Sequence, residues 1–221
     1  MADLQSRSTR DLLGCHEAGV FCRRHAGMGL CEDRFAMPVV VRPASLDEAP
    51  LLAEFHRLVA LVAYASIFPP EAPAPDPARM ALDWHRRLSG DFAPNPAGYV
   101  AELSGELAGV VIASGDPDMP TFGHITRLYV EPRVWGRGIG RSLYDCALAH
   151  LQDVGYAQAS LWVLERNTRA RCWYERLGWS CTGERKPVYE PAGIDDIRYI
   201  RVLGNLNPSQ RHGRGLDTAC P

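Results

Sequence analysis

Apolar and polar positions alternate in two distinct periods along this chain. From Ile125 to Val130, β-branched and aromatic residues dominate, which predicts a strand closed by Pro132. From Arg141 to Val154 the period changes, and Leu143, Ala147, Leu151 and Val154 recur at helical spacing. Gln158 to Val163 returns to period two, with Ala159, Leu161 and Val163 set against Ser160 and Trp162. Asn167 to Trp179 is helical again, with Ala170, Trp173, Tyr174 and Leu177 on one face and Gly178 as its C-terminal cap.

Upstream, Val39 to Arg42 predicts a first strand. Ser45, with Glu48 three residues on, caps a helix to about Ala65. Pro69 to Pro77 is a proline-rich loop, and Asp76 or Pro77 begins a second helix reaching Leu88. Tyr99–Leu103 and Leu107–Ser114 flank the turn Ser104-Gly105-Glu106, and Ile197 to Leu203 closes the sheet. The predicted order is β–α–α–β–β–β–α–β–α–β–β.

The ends do not share this order. Met1 to Ala36 lacks a sustained period and reads as a poorly structured extension. Its Cys15, His16, Cys22, His25 and Cys31 are zinc-ligand types, but their spacing matches no paired-ligand pattern, so no metal is expected. The ordered domain is expected over 37–204, with 205–221 as a tail.

Chemistry concentrates at the junction of the central strand and its helix. Gly136, Gly138 and Gly140 lack side chains, so backbone N–H groups can approach a ligand, and a glycine turn feeding a helix N-terminus favours phosphate. Two phosphate-binding readings compete. A dinucleotide fingerprint would use Gly136 and Gly138 with Glu165 as the downstream acid, but Arg141 occupies the third glycine position. The other is an acyl-CoA loop. In that reading Gly138 and Gly140 take the two glycine positions of the motif Gln/Arg-x-x-Gly-x-Gly/Ala, with Trp135 in place of Gln or Arg. Asn167, Ala170, Tyr174, Gly178 and Trp179 match Asn-x-x-Ala-x-x-x-Tyr-x-x-x-Gly-Phe/Trp position by position. On these two blocks, in order and joined by one helix–strand unit, the chain resembles the Gcn5-related N-acetyltransferases (GNAT) from about Val39 to Leu203.

The resemblance implies an α/β fold with a mixed, mostly antiparallel sheet, splayed between its fourth and fifth strands, here near Val130 and Ala159. Acetyl-CoA would lie in the splay as co-substrate. Amides of Leu128, Tyr129 and Val130 would meet the pantetheine arm, and those of Gly136, Arg137, Gly138, Ile139, Gly140 and Arg141 the pyrophosphate. Arg133, Arg137 and Arg141 would add charge, and Asn167 would contact pantetheine or cap its helix.

Acetyl transfer to an amine needs a held thioester, a deprotonated amine and a stabilised leaving thiolate. Tyr174 is the candidate general acid, although it shares an apolar helix face and a core role competes. His124 is the candidate base, expected to titrate near its ordinary pKa, on one strand face with Thr126, Leu128 and Val130. Glu131, Glu102 or water are the alternatives. Tyr64, Phe68, Trp84 and His85 are candidates for an acceptor pocket or for core. Cys146 and Cys172 read as packing residues, so direct transfer is expected.

Composition narrows the partners. A formal net charge of −2 gives no nucleic-acid footprint. The longest apolar run, Leu58 to Phe68, is too short for a bilayer, so no membrane partner is expected. Seven scattered cysteines suit a reduced cytoplasmic protein. The expected acceptor is a primary amine of a small molecule or peptide, with a homodimer left open. The rival reading is a non-catalytic acyl-CoA-binding sensor or interaction module.

Overall fold

The computed structural model describes residues 39–204. The expected N-terminal extension, its cysteines and histidines, and the C-terminal tail lie outside the described residues.

The first strand, β1 (Val39–Pro43), leads into a short 3-10 turn, Leu46–Glu48, and then α1 (Ala49–Ala63). Glu48 accepts the Ser45 N–H at 2.7 Å, as the predicted cap requires, but the turn it closes is 3-10 and α1 begins one residue beyond it. After the proline loop, Asp76 accepts the Arg79 N–H at 2.8 Å and starts α2 (Pro77–Ser89). The hairpin β2 (Ala97–Leu103) and β3 (Glu106–Gly115) precedes β4 (Phe122–Val130). There follow α3 (Ile139–Val154), β5 (Gln158–Leu164), α4 (Thr168–Arg176), β6 (Ser180–Tyr189) and β7 (Ile194–Val202). The element order is the predicted one.

The seven strands run in the order β1-β2-β3-β4-β5-β7-β6. Every neighbouring pair is antiparallel except β4 and β5. The last strand therefore does not close the sheet: β7 lies inside, and β6 takes the edge. Charged residues and Pro187 suit β6 to that edge, because they discourage pairing with another chain.

Two apolar layers hold the sheet. Leu143, Ala147 and Leu151 of α3 pack on Ile125, Leu161 and Tyr199, joined by Tyr174 and Trp179. Leu52 and Ala53 of α1 and Trp84 of α2 pack on Val100, Val110 and Ile112 on the other face.

Two features of β4 shape everything that follows. Its pairing with β5 covers Phe122–Ile125 against Gln158–Leu161 and then stops. The splay thus opens beyond Ile125 and Leu161, while Ala159 is still paired, to Gly123, so the expected opening beside Ala159 is corrected. Ala113 pairs with Ile125 and Ile112 with Arg127, so Thr126 is the extra residue of a β-bulge. The bulge resets the alternation. Leu128 and Val130 join Ile125 in the layer under α3, whereas Tyr129 packs with the α1–α2 layer. His124 pairs with Ser114, which continues the Val110–Ile112 face, so the expected shared face of His124, Leu128 and Val130 is overturned.

Candidate active site

A cavity of about 750 Å³ opens where β4 and β5 part. It reaches from α1 and the proline loop across β4 to α4 and β7, and Tyr64, Phe68, His124, Asn167, Tyr174 and Asp196 are among the residues that line it.

At one end of the seam stands the glycine loop. Gly136 and Gly138 both adopt φ of +82°, a left-handed backbone that a side chain would strain. Gly138 is the N-cap of α3, and its carbonyl takes the N–H groups of Arg141 and Ser142 at 2.9 and 3.0 Å. The N–H groups of Arg137, Gly138, Ile139 and Gly140 make no hydrogen bond to a described residue. Four free amides at a helix N-terminus fit a pyrophosphate; the Arg141 amide, expected among them, is already used. Of the three arginines, Arg133 pairs with Glu131 and Arg141 with Asp145, while Arg137 has no ion pair among the described residues.

Trp135 has a role of its own. Its indole N–H donates to the Val130 carbonyl at 2.8 Å, and the Arg169 guanidinium lies 3.7 Å over its ring. The loop is thereby tied both to β4 and to α4. The Val130 carbonyl is spent on this bond. Because Glu131 bonds to Ala108 of β3, the alternation turns the Leu128 polar groups and the Val130 N–H to the splay and the Tyr129 amide, expected there, to Val110 of β3.

At the head of α4, Asn167 caps the helix by accepting the Ala170 N–H at 3.1 Å, and it also lines the cavity. About two turns on, the Tyr174 ring is buried in the core against Trp173 and Trp179. Burial pushes its phenol pKa upward, so the group stays protonated at neutral pH. Its hydroxyl makes no hydrogen bond to a described residue, although the side chain lines the cavity. Core placement and an unspent donor therefore coexist in one residue.

The other end of the cavity is built differently. His124 is 7% exposed, and burial, reinforced by the Arg87, Arg198 and Arg127 charges and opposed by Asp116, lowers its pKa to about 4. The expected titration near 6.5 is corrected: packing against Ser160 and Asp116 removes the water that would solvate an imidazolium. His124 Nδ1 lies 2.7 Å from Ser160 Oγ, whose hydroxyl bonds Asp116. Arg87 reaches Asp83 at 2.8 Å and Thr126 at 2.7 Å, and it stacks 3.9 Å over Phe92. His56, stacked 4.0 Å from Tyr129, is held neutral by burial with a pKa of about 3. Burial raises the phenol pKa of both Tyr64 and Tyr129.

Several expectations separate here. Tyr64, Phe68 and the prolines line the cavity, but Trp84 is core and His85 is exposed on α2. The alternative bases are engaged elsewhere: Glu102 pairs with Arg42, Glu131 with Arg133, and neither lines the cavity. Glu165, the acid of the dinucleotide reading, pairs with Arg185. Cys146 is buried as expected, but Cys172 is exposed, so it is not a packing residue. Asp116, Ser160, His56 and Asp196 were not legible as site residues. Asp116 reads as loop, Ser160 as the wet face of a strand, and no spacing links them.

The family profile described as "Acetyltransferase (GNAT) family" matches residues 61–179, from the last turn of α1 through Trp179. The chain belongs to the GNAT acetyltransferase family. Two relatives named mycothiol acetyltransferase are similar to it. That of Geodermatophilus obscurus is 37% identical over 91 residues, covering 39% of this chain and 30% of its own. That of Propionibacterium freudenreichii subsp. shermanii is 31% identical over 130 residues, covering 58% and 40%. The chain thus spans less than half the length of these curated relatives. Among solved structures, an N-acetyltransferase from Thermoplasma acidophilum in complex with coenzyme A superposes with a TM-score of 0.59 at 17% identity, covering 75% of this chain and 99% of that one. A putative acetyltransferase from Salmonella typhimurium with acetyl-CoA gives 0.57 at 16%, covering 77% and 96%. At these identities the likeness is one of fold. In this GNAT chain the dinucleotide reading is excluded by topology as well, since a doubly wound parallel sheet is absent from the described residues.

Among the described residues, no helix is long and apolar enough to cross a membrane, and no group of three His, Cys, Asp or Glu is placed to hold a metal ion.

Proposed function

We propose that this chain is an acetyl-CoA-dependent N-acetyltransferase that transfers acetyl directly to a primary amine of a small molecule or peptide. The observation that carries this reading is one splayed seam with free helix-terminal amides at one end and a cavity lined by both an unspent phenol donor, Tyr174, and a neutral imidazole, His124. Acetyl-CoA, when bound, supplies an activated thioester, whose C–S bond breaks as the acetyl C–N bond forms.

The loop amides of Arg137 to Gly140 hold the pyrophosphate, and β4 from Leu128 to Val130, with Asn167, positions the pantetheine arm. Tyr174 keeps its proton at neutral pH and gives it to the departing sulfur, so the thiolate leaves as a thiol. His124 is neutral above about pH 4 and takes the amine proton at Nε2, which no described residue occupies. The proton on His124 returns to solvent, and Tyr174 is reprotonated from solvent. The reaction balances as acetyl-CoA plus amine to acetamide plus CoA thiol. We place it in the cytoplasm, where free thiols such as Cys172 persist.

A turnover assay across an amine panel, read as CoA thiol release together with mass spectrometry of the acetylated product, tests the reading. The names of the similar relatives make a mycothiol-related amine the first acceptor to include. Tight acetyl-CoA binding with no transfer to any amine would instead establish a silent acyl-CoA-binding module.

A further inference from the structure

Asp116, Ser160 and His124 form a buried chain of hydrogen bonds, and its direction can be worked out from proton counting. Asp116 directly follows β3. Its Oδ1 accepts the N–H groups of Asp118 and Met119 at 2.8 and 3.1 Å. Its Oδ2 receives the Ser160 hydroxyl, and Arg198, itself paired with Asp118 and Glu184, lies 4.0 Å away. Exposure is 2% for Asp116, 0% for Ser160 and 7% for His124, so water is not an alternative partner for the first two.

A serine hydroxyl has one proton, and a carboxylate can only accept. Ser160 therefore gives its proton to Asp116 and presents lone pairs to His124 Nδ1 at 2.7 Å. That nitrogen must be the N–H donor. A neutral imidazole carries a single proton, so Nε2 is bare. The opposite tautomer would face lone pair against lone pair or strip Asp116 of its buried donor.

We propose that Asp116 and Ser160 are positioning residues that fix His124 in its Nδ1–H tautomer, leaving Nε2 as the basic nitrogen toward the acceptor amine. The inference deepens the base role given to His124 above and rests on that reading. The sheet itself supports the geometry: His124 and Ser160 are register partners on the parallel pair β4–β5, one residue before the strands part. When Nε2 takes a proton, the charge on the ring is met by Asp116 Oδ2, 3.6 Å from Nδ1. The other charges that act on the ring are Arg87 from α2, Arg127 from β4 and Arg198 from β7, all of which disfavour the imidazolium. A carboxylate that sets a histidine's tautomer through hydrogen bonding is a recurrent catalytic device; here a serine relays it.

The test is side-chain ¹⁵N NMR of His124 in the full chain, beside turnover and calorimetric CoA affinity. The wild-type spectrum at neutral pH should show Nδ1 protonated and Nε2 bare. Asp116→Asn replaces the acceptor by a group that can donate, so Ser160 turns its proton toward His124 and the ring converts to Nε2–H. Turnover should then fall by roughly 10²–10⁴-fold, the usual range for lost acid–base catalysis, with CoA affinity unchanged. A bare Nδ1 in the wild type overturns the proposal by itself, so a poorly folding variant does not remove the test. A converted tautomer with unchanged turnover also overturns it, because the relay would then position nothing the reaction uses. Should the wild type show the expected tautomer and bind acetyl-CoA yet acetylate no amine, the transferase reading fails while the relay stands.

Discussion

The two ends of the β4–β5 seam solve opposite problems. At the glycine loop the chain withholds side chains: Gly136 and Gly138 leave open space where a Cβ would be, and the proposed anion contacts are free backbone N–H groups. At His124 it does the reverse, burying an aspartate, a serine, a histidine and an arginine together until each determines the proton position of the next. An anion is held by many weak, fixed dipoles that solvent can still reach. A proton is directed by a few groups from which solvent is excluded. The contrast also predicts different sensitivities, since backbone dipoles do not titrate and buried side chains do.

The largest effect should come from the donor between the two ends. Tyr174→Phe keeps the ring and its packing against Trp173 and Trp179. Turnover should fall by roughly 10²–10⁴-fold with CoA affinity nearly unchanged, measured by steady-state kinetics and calorimetry. Near-normal turnover would reduce Tyr174 to a core residue.

Next is the pH dependence of stability. His124 has a folded pKa of about 4 against an ordinary 6.5. The unfolded chain therefore binds the proton first as pH falls. Stability is full above about pH 6.5 and is lost on the way down to about 4, by on the order of 3 kcal/mol at 1.36 kcal/mol per pKa unit. His56, with a folded pKa of about 3, adds a loss of the same sign. Thermal melts across this window should show the decline, and His124→Gln should flatten it. For turnover, an acidic limb near pH 6.5 instead of near 4 would contradict the burial of His124.

A smaller loss is expected at the glycine loop. Gly138→Asp adds negative charge beside the phosphate site and a side chain at φ +82°. CoA affinity should weaken about tenfold or more, equivalent to roughly 1.4 kcal/mol, with a melting temperature lowered by the left-handed strain but the chain still folded. Unchanged affinity in the folded variant would remove the loop from the site. The smallest change belongs to Trp135→Phe, which deletes the indole bond to the Val130 carbonyl. A net loss of about 1 kcal/mol in stability follows from that bond alone; a larger fall in CoA affinity than in stability would show that Trp135 orders the loop for the ligand.

How much could be read in the sequence follows the same division. The glycine loop, the α3 face and the Asn167–Tyr174 helix are local patterns, so the element order and the glycine turn at the α3 N-terminus were legible from spacing. The proton network was not, because Ser160 lies 36 residues from His124 and 44 from Asp116, and the sheet alone brings them together. The bulge at Thr126 is equally silent in the alternation of β4, yet it decides which side chains face α1 and which face α3. Ser160 misled for a physical reason: period two marks it as solvent-facing, but His124 from β4 and Asp116 from the segment after β3 close over it.

The central claim is that acyl-CoA occupies the splayed seam, and amide hydrogen exchange read by NMR tests it most directly. In the free protein the N–H groups of Arg137 to Gly140 make no hydrogen bond to a described residue and should exchange fast. Adding acetyl-CoA should slow exchange there and at Leu128 and Val130, while the edge strand β6 remains as before. Saturating acetyl-CoA that leaves the loop amides exchanging freely, or that protects a different surface instead, would contradict the account.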